Sequence, residues 1–231
     1  MKKLTALLLA LLMTLSMFAC AQNPSDNDDV KDTGDDAQKQ TEKEIEKETE
    51  KETEAEKTAE LSRGHIDGDV YINDYLGFSF EKPASWVYST DAEIAAAINL
   101  GVEEILDEKF KEALEKSGSI YDMMVTDVLT GSNAMVGYEN LTMSNITEEI
   151  YFEAMKEQFK NITTMTVDFP DEYEKITLGE NEFSKAVCIT TAYGTSITQV
   201  YYVRKVDKYM AFVIVTIPAG YTVEEVEAMF K

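Results

Sequence analysis

Few side chains in this sequence are of kinds that do covalent or acid–base chemistry. There are two cysteines and one histidine. Cys20 follows Lys2 and Lys3, an apolar run over residues 4–18, and the small residue Ala19, which is the grammar of a secretion signal. The run is too short to span a bilayer, which takes about 20 apolar residues. Cys188 lies on the parity of Ser184, Ala186, Thr190 and Ala192 in an alternating run, with Lys185 on the opposite parity. A reactive thiolate needs a cation or helix N-terminus beside it, so Cys188 reads as a buried, inert thiol. His65 stands alone among Gly and Asp, which leaves a multi-histidine zinc site or a Ser-His-Asp arrangement without parts. The carboxylate pairs Glu103-Glu104, Glu148-Glu149 and Glu224-Glu225 each fall in the first turn of an expected helix, where they complement its dipole. The expectation is a protein that is not an enzyme, with no catalytic, cofactor or metal residues.

The stretch Ser16-Met17-Phe18-Ala19-Cys20 resembles the lipobox of bacterial lipoproteins, although Met17 stands where Leu is commonest and Phe18 is bulkier than usual. The resemblance implies that residues 1–19 are removed as a signal peptide. It implies further that the sulfur of Cys20 carries diacylglycerol and that a lipoprotein, bearing palmitate, sits extracytoplasmically on the outer face of the bacterial cytoplasmic membrane. If Cys20 is lipidated, Cys188 has no internal disulfide partner.

Residues 20–67 read as a lipid-anchored, acidic, disordered linker. Residues 21–40 hold one sizeable apolar residue, Val30, so no buried face can form. The near four-residue repeat TEKEIEKETEKETEAEK over 41–57 offers i,i+3 pairs such as Glu44–Lys47, but it also stacks Glu42, Glu46, Glu50 and Glu54 as like charges. At most a fraying helix is expected, and self-repulsion extends the stretch as a stalk. The aspartates from Asp26 to Asp36 lack the spacing of an EF-hand loop and read as solvated charge. Residues 21–62 carry 15 acidic and 6 basic side chains, and residues 63–231 carry 29 and 13. A field of that sign repels phosphates, so nucleic acid is not an expected partner.

From residue 68 to 231 the composition is that of one folded domain of mixed α and β structure. Two short strands are expected around Asn73-Asp74, with Leu76, Phe78 and Phe80 sharing a face by period two. Pro83 ends the second, and Val87-Tyr88 extends a strand after Trp86. The capping box Thr90-Asp91-Ala92-Glu93 opens a helix expected to reach Leu100 and stop at Gly101. A second helix is expected over 102–116 and a third over 147–160, the latter capped by Thr147 or Asn145 and with Tyr151, Phe152, Met155 and Phe159 on one stripe. Strands over 120–129 and 134–141 form a hairpin about Thr130-Gly131-Ser132-Asn133. Strands over 183–193, 196–206 and 209–217 are joined by two-residue turns, which forces antiparallel neighbours. The small face of the first of these can take a closely packed helix. The almost unbroken apolar run 210–215 belongs at the sheet centre. Thr222-Val223-Glu224-Glu225 caps a final helix.

Two groups could serve recognition. Met123, Met124, Met135, Met143, Met155 and Met165 are either adaptable ligand contacts or core gap-fillers. Tyr193, Tyr201, Tyr202 and Tyr209 are either an interface patch or strand-end residues with wet hydroxyls.

The string Gly77-Phe78-Ser79-Phe80, Pro83 and Trp86, followed by helices, a long meander and a terminal helix, resembles the PsbP-like superfamily over residues 68–231, in particular its Gram-positive lipoproteins. Ser85 stands where a glycine often precedes the tryptophan. The resemblance implies an α+β fold with a central antiparallel β-sheet flanked by helices, an α/β/α sandwich. It also implies a binding or accessory role, and it supplies no catalytic residues. The functional expectation is a non-enzymatic module, membrane-held through lipidated Cys20, that binds a protein or envelope partner; the alternative is a small-molecule-binding or hydrolytic envelope lipoprotein with a pocket beside the sheet.

Overall fold

The computed structural model describes residues 60–106 and 109–231. The expectations for the signal peptide, Cys20, the acidic cluster and the 41–57 repeat lie outside the described residues. Among the described residues no helix is long and apolar enough to cross a membrane.

Antiparallel sheets dominate an α+β fold. Strands β1 (His65–Asp67), β2 (Val70–Asn73) and β3 (Phe78–Glu81) make a small sheet. A larger sheet runs in the order β4 (Trp86–Tyr88), β5 (Ser119–Asp127), β6 (Asn133–Asn140), β11 (Tyr209–Thr216), β10 (Thr195–Val206), β9 (Asn181–Ala192) and β7 (Met165–Asp168), with β8 (Glu174–Leu178) also pairing β9. Among the described residues four α-helices accompany them: α1 (Asp91–Ala97), α2 (Phe110–Ser117), α3 (Glu148–Phe159) and α4 (Val223–Glu227). As its apolar run requires, β11 is central and buried at every position.

The register separates two faces. Tyr202 aligns with Val213 and Val136, which puts Tyr138 on the same face. This face is covered by the small sheet, α1, α2 and α4, through contacts such as Phe110–Tyr138 and Tyr202–Phe230. Tyr201 aligns with Ile214 and Met135, which puts Glu139 on the opposite face. There α3 packs over the small residues of β9, with Phe159 against Tyr201 and Phe152 stacked on Tyr173. Gly137 is required on that face, because a Cβ would come within 2.4 Å of the Phe212 ring and 2.6 Å of the Ile120 carbonyl.

The capping signals form as read. Thr90 and Thr222 make reciprocal boxes with Glu93 and Glu225, and the Thr147 hydroxyl accepts from the Ile150 N–H. The motif residues Phe78, Phe80 and Trp86 are buried. Four expectations change, the first being the β5–β6 hairpin, in which β5 stops at Asp127 and the loop is 128–132 because Thr126 pairs with Asn133 and the Asp127 N–H closes on the Ser132 carbonyl. Helix α1 ends at Ala97, because Asn99 takes a left-handed φ of 56° and the Leu100 N–H returns to the Ala95 carbonyl. The expected 102–116 helix is instead a 3-10 turn, Val102–Glu104, and then α2. The Ile105 carbonyl, which a continuous helix would give to Lys109, accepts from Arg63, and the Lys109 N–H turns to Leu106. The turn between β9 and β10 is Tyr193-Gly194, one residue earlier than expected, with both residues at positive φ.

Candidate functional site

Strand β6 alternates sides, so its neighbours Tyr138 and Glu139 serve two different constellations. Tyr138 points into a buried polar network on the small-sheet side. Asp122 sits at its centre, in a bulge of β5 between Tyr121 and Met123 that interrupts the pairing with β6. Its carboxylate accepts from the Tyr71 hydroxyl at 2.6 Å, the Gly64 N–H at 2.8 Å, Asn73 Nδ2 at 3.0 Å and Arg63 Nε at 3.2 Å. Arg63 also donates to Asp91 at 2.9 Å and to the Asp122 carbonyl. Asn73 donates to the Tyr138 hydroxyl at 2.8 Å, while its Oδ1 accepts the Leu76 N–H.

A hollow of about 240 Å³ opens beside this network. Burial pushes the Asp122 carboxyl up from the ordinary aspartate range, against the pull of its hydrogen bonds and of Arg63. Burial and the Asp122 charge push the Tyr71 hydroxyl well above the ordinary tyrosine range. Three of these donors converge on Oδ2 and Arg63 Nε takes Oδ1, so the buried carboxylate is held from both oxygens. The network joins the chain ahead of β1 to the small sheet and to β5, and its chemistry is that of a latch.

Glu139 points the other way, into a cleft of about 320 Å³ between the end of the β5–β6 hairpin and α3. Its walls are mostly apolar, formed by Leu141, Met143, Ile146, Ile150, Ala154 and Met155. Helix α3 supplies one wall because Tyr151 and Met155 continue its stripe, while Met143 and Ile150 at the rim are 56% and 45% exposed. The Tyr151 hydroxyl donates to Glu139 Oε2 at 2.8 Å. Among the described residues no other donor reaches the Glu139 side chain, and no Lys, Arg or His lines the cleft. Burial pushes the Glu139 carboxyl above the ordinary glutamate range, although the Tyr151 hydrogen bond pulls the other way. The arrangement is a ligand-sized recess with one partly sheltered acid, and it holds no nucleophile with an adjacent base.

The residues singled out in the sequence are scattered. Cys188 is fully buried, and its thiol is pushed up to about 12 by burial and the nearby Asp168 charge. His65 is exposed on β1. The three glutamate pairs lie at helix starts, where Glu148 also accepts the Lys205 N–H at 3.0 Å. Met123, Met124, Met135, Met155 and Met165 are core and Met143 is exposed, with Met143 and Met155 also lining the cleft. The tyrosines form no patch, since Tyr201, Tyr202 and Tyr209 are buried and Tyr193 alone is exposed. Glu139 and the Arg63–Asp122 pair were not anticipated. A charged residue ending the apolar run from Ala134 to Tyr138 was the signal for Glu139.

No protein-family model matches the chain, and no curated protein matches it. Among solved structures the chain is similar to the cyanobacterial PsbP protein CyanoP of Synechocystis sp. PCC 6803, at 11% identity over 74% of this chain and 93% of that one, with a TM-score of 0.44. It is also similar to a protein of Bacteroides thetaiotaomicron VPI-5482, at 15% identity and a TM-score of 0.38, over 72% of this chain but only 48% of that protein.

Proposed function

We propose that this chain is an extracytoplasmic lipoprotein in which lipidated Cys20 and an acidic tether over 20–67 carry a non-enzymatic, PsbP-like binding domain over 68–231, with the cleft beside α3 as its ligand face. Helices on both sides of the large sheet are consistent with α/β/α layering in which β1–β3 share one helical layer. The observation that carries the reading is the recess itself. Apolar side chains that would otherwise close over the sheet leave about 320 Å³ open above Glu139, within the range of about 300–1,000 Å³ usual for ligand pockets. Of the two sequence-derived alternatives, a small-molecule binder fits this recess better than a hydrolase, because the cleft offers one acid and no partner base.

The test is a titration of the full chain in lipid nanodiscs, carrying 13C-methyl methionine, with the neutral probe 2-phenylethanol. Saturable shifts at Met143 and Met155, abolished when Ala154→Trp fills the recess, are expected. A titration that leaves both methyl signals in place refutes the cleft as the ligand face.

A further inference from the structure

The geometry points to a small organic amine, an ammonium group on an apolar body, as the class of ligand held in the cleft, with Glu139 as the residue that recognises the ammonium. This rests on the reading of the cleft as the ligand face and adds the chemistry of its occupant. Glu139 has the Tyr151 hydroxyl on one carboxylate oxygen and no protein donor on the other among the described residues. Other sheltered carboxylates have both oxygens occupied or a cation beside them: Asp122 pairs with Arg63, Glu227, whose side chain is 14% exposed, pairs with Lys185 at 3.0 Å, and Asp127 accepts from the Leu129 N–H on one oxygen and the Thr130 hydroxyl on the other. Glu139 departs from that pattern, in a recess lined by no basic residue.

A partly buried acid that keeps its charge needs a positive partner, and one that lacks it is costly to the fold. Burial already holds the Glu139 carboxyl high, and among the described residues no cation stands beside it. A bound ammonium restores the pair and donates to the free oxygen, while the remainder of the molecule lies against Met143, Ile150 and Met155. Two of these are thioethers, which adapt to irregular apolar shapes. The net charge of −16 over residues 63–231 raises the local concentration of cations and disfavours organic acids of the same shape. The recess lies at the small end of the ligand-pocket range, which favours a free amine over the lysine of a docked protein.

The experiment compares phenethylamine with 2-phenylethanol and 3-phenylpropanoate, which present related apolar bodies with different heads, by the Met143 and Met155 methyl signals of the full chain in nanodiscs. Phenethylamine is expected to bind at least tenfold more tightly than the alcohol, with the acid weakest. Glu139→Gln is expected to weaken phenethylamine binding at least tenfold, to the level of the alcohol. Equal affinities for amine and alcohol, with both still shifting the two methyls, overturn the amine assignment and leave the cleft standing. Silence of both methyls toward all three probes overturns the cleft and the amine together. A lysine-containing peptide that shifts them where phenethylamine does not also overturns the proposal, making the recess a peptide-docking surface.

Discussion

Tyr138 and Glu139 are adjacent on one strand, and the two-residue period of β structure sends them to opposite faces with opposite outcomes. The Tyr138 hydroxyl meets Asn73 and the buried Asp122 network, whereas Glu139 meets one hydroxyl and an apolar recess. Because the folded-state value of Glu139 is raised above its ordinary 4.5, folding favours its protonated form. Its contribution to stability is fully present below pH 4.5 and is lost as pH rises through the folded-state value. Glu139→Gln keeps an acceptor for Tyr151 and removes the buried charge. It is expected to raise the melting temperature at pH 8 by a few degrees, with the gain vanishing near pH 4, as followed by calorimetry across that range. A gain that does not change with pH contradicts this assignment of the charge.

The elements show which structural signals are local. Caps are short-range, so the hydroxyl-to-glutamate spacing at Thr90 and Thr222 was legible in the sequence, as was the start of α3, with Thr147 rather than Asn145 as its cap. So were the central strand β11, the stripe of α3 and the small face of β9 beneath it. What was not legible depends on residues far apart in the chain. The break before α2 comes from Arg63, 42 positions before the carbonyl it takes, and no helical periodicity in 102–116 registers that competition. The cleft was hidden for the same reason, since its walls come from both the β5–β6 hairpin and α3. Strands β7 and β8 were missed because each is short and lies at the β9 edge, where exposed alternate positions weaken the apolar signal. Arg63 and the strand β1 lie within 20–67, the stretch expected as linker, so the fold begins before residue 68. Asp122→Ala leaves the Arg63, Tyr71 and Asn73 donors facing a void and is expected to cost on the order of 3–5 kcal/mol in urea unfolding. Arg63→Ala in the same background should add less than it does alone, because the two residues share one network. A loss below about 1 kcal/mol for Asp122→Ala argues against the latch.

At the scale of the whole molecule, charge and attachment belong together. A chain of net charge −23 has little electrostatic attraction for an anionic membrane surface, so the proposed hold on the membrane falls to the lipid on Cys20. In the proposed arrangement, the acidic run between Cys20 and Arg63 has the role of keeping the domain and its cleft away from the headgroups by self-repulsion. On this account the cleft works as a binding site presented at the cell surface, and its reach is set by the tether. The direct measurement is intact-mass analysis of the protein extracted from cell membranes. The expected species begins at Cys20, lacks residues 1–19 and carries the added mass of a diacylglyceryl group, and Cys20→Ala abolishes both the modification and the membrane retention. A chain that keeps residues 1–19, or a mature form with an unmodified Cys20 in the soluble fraction, contradicts it.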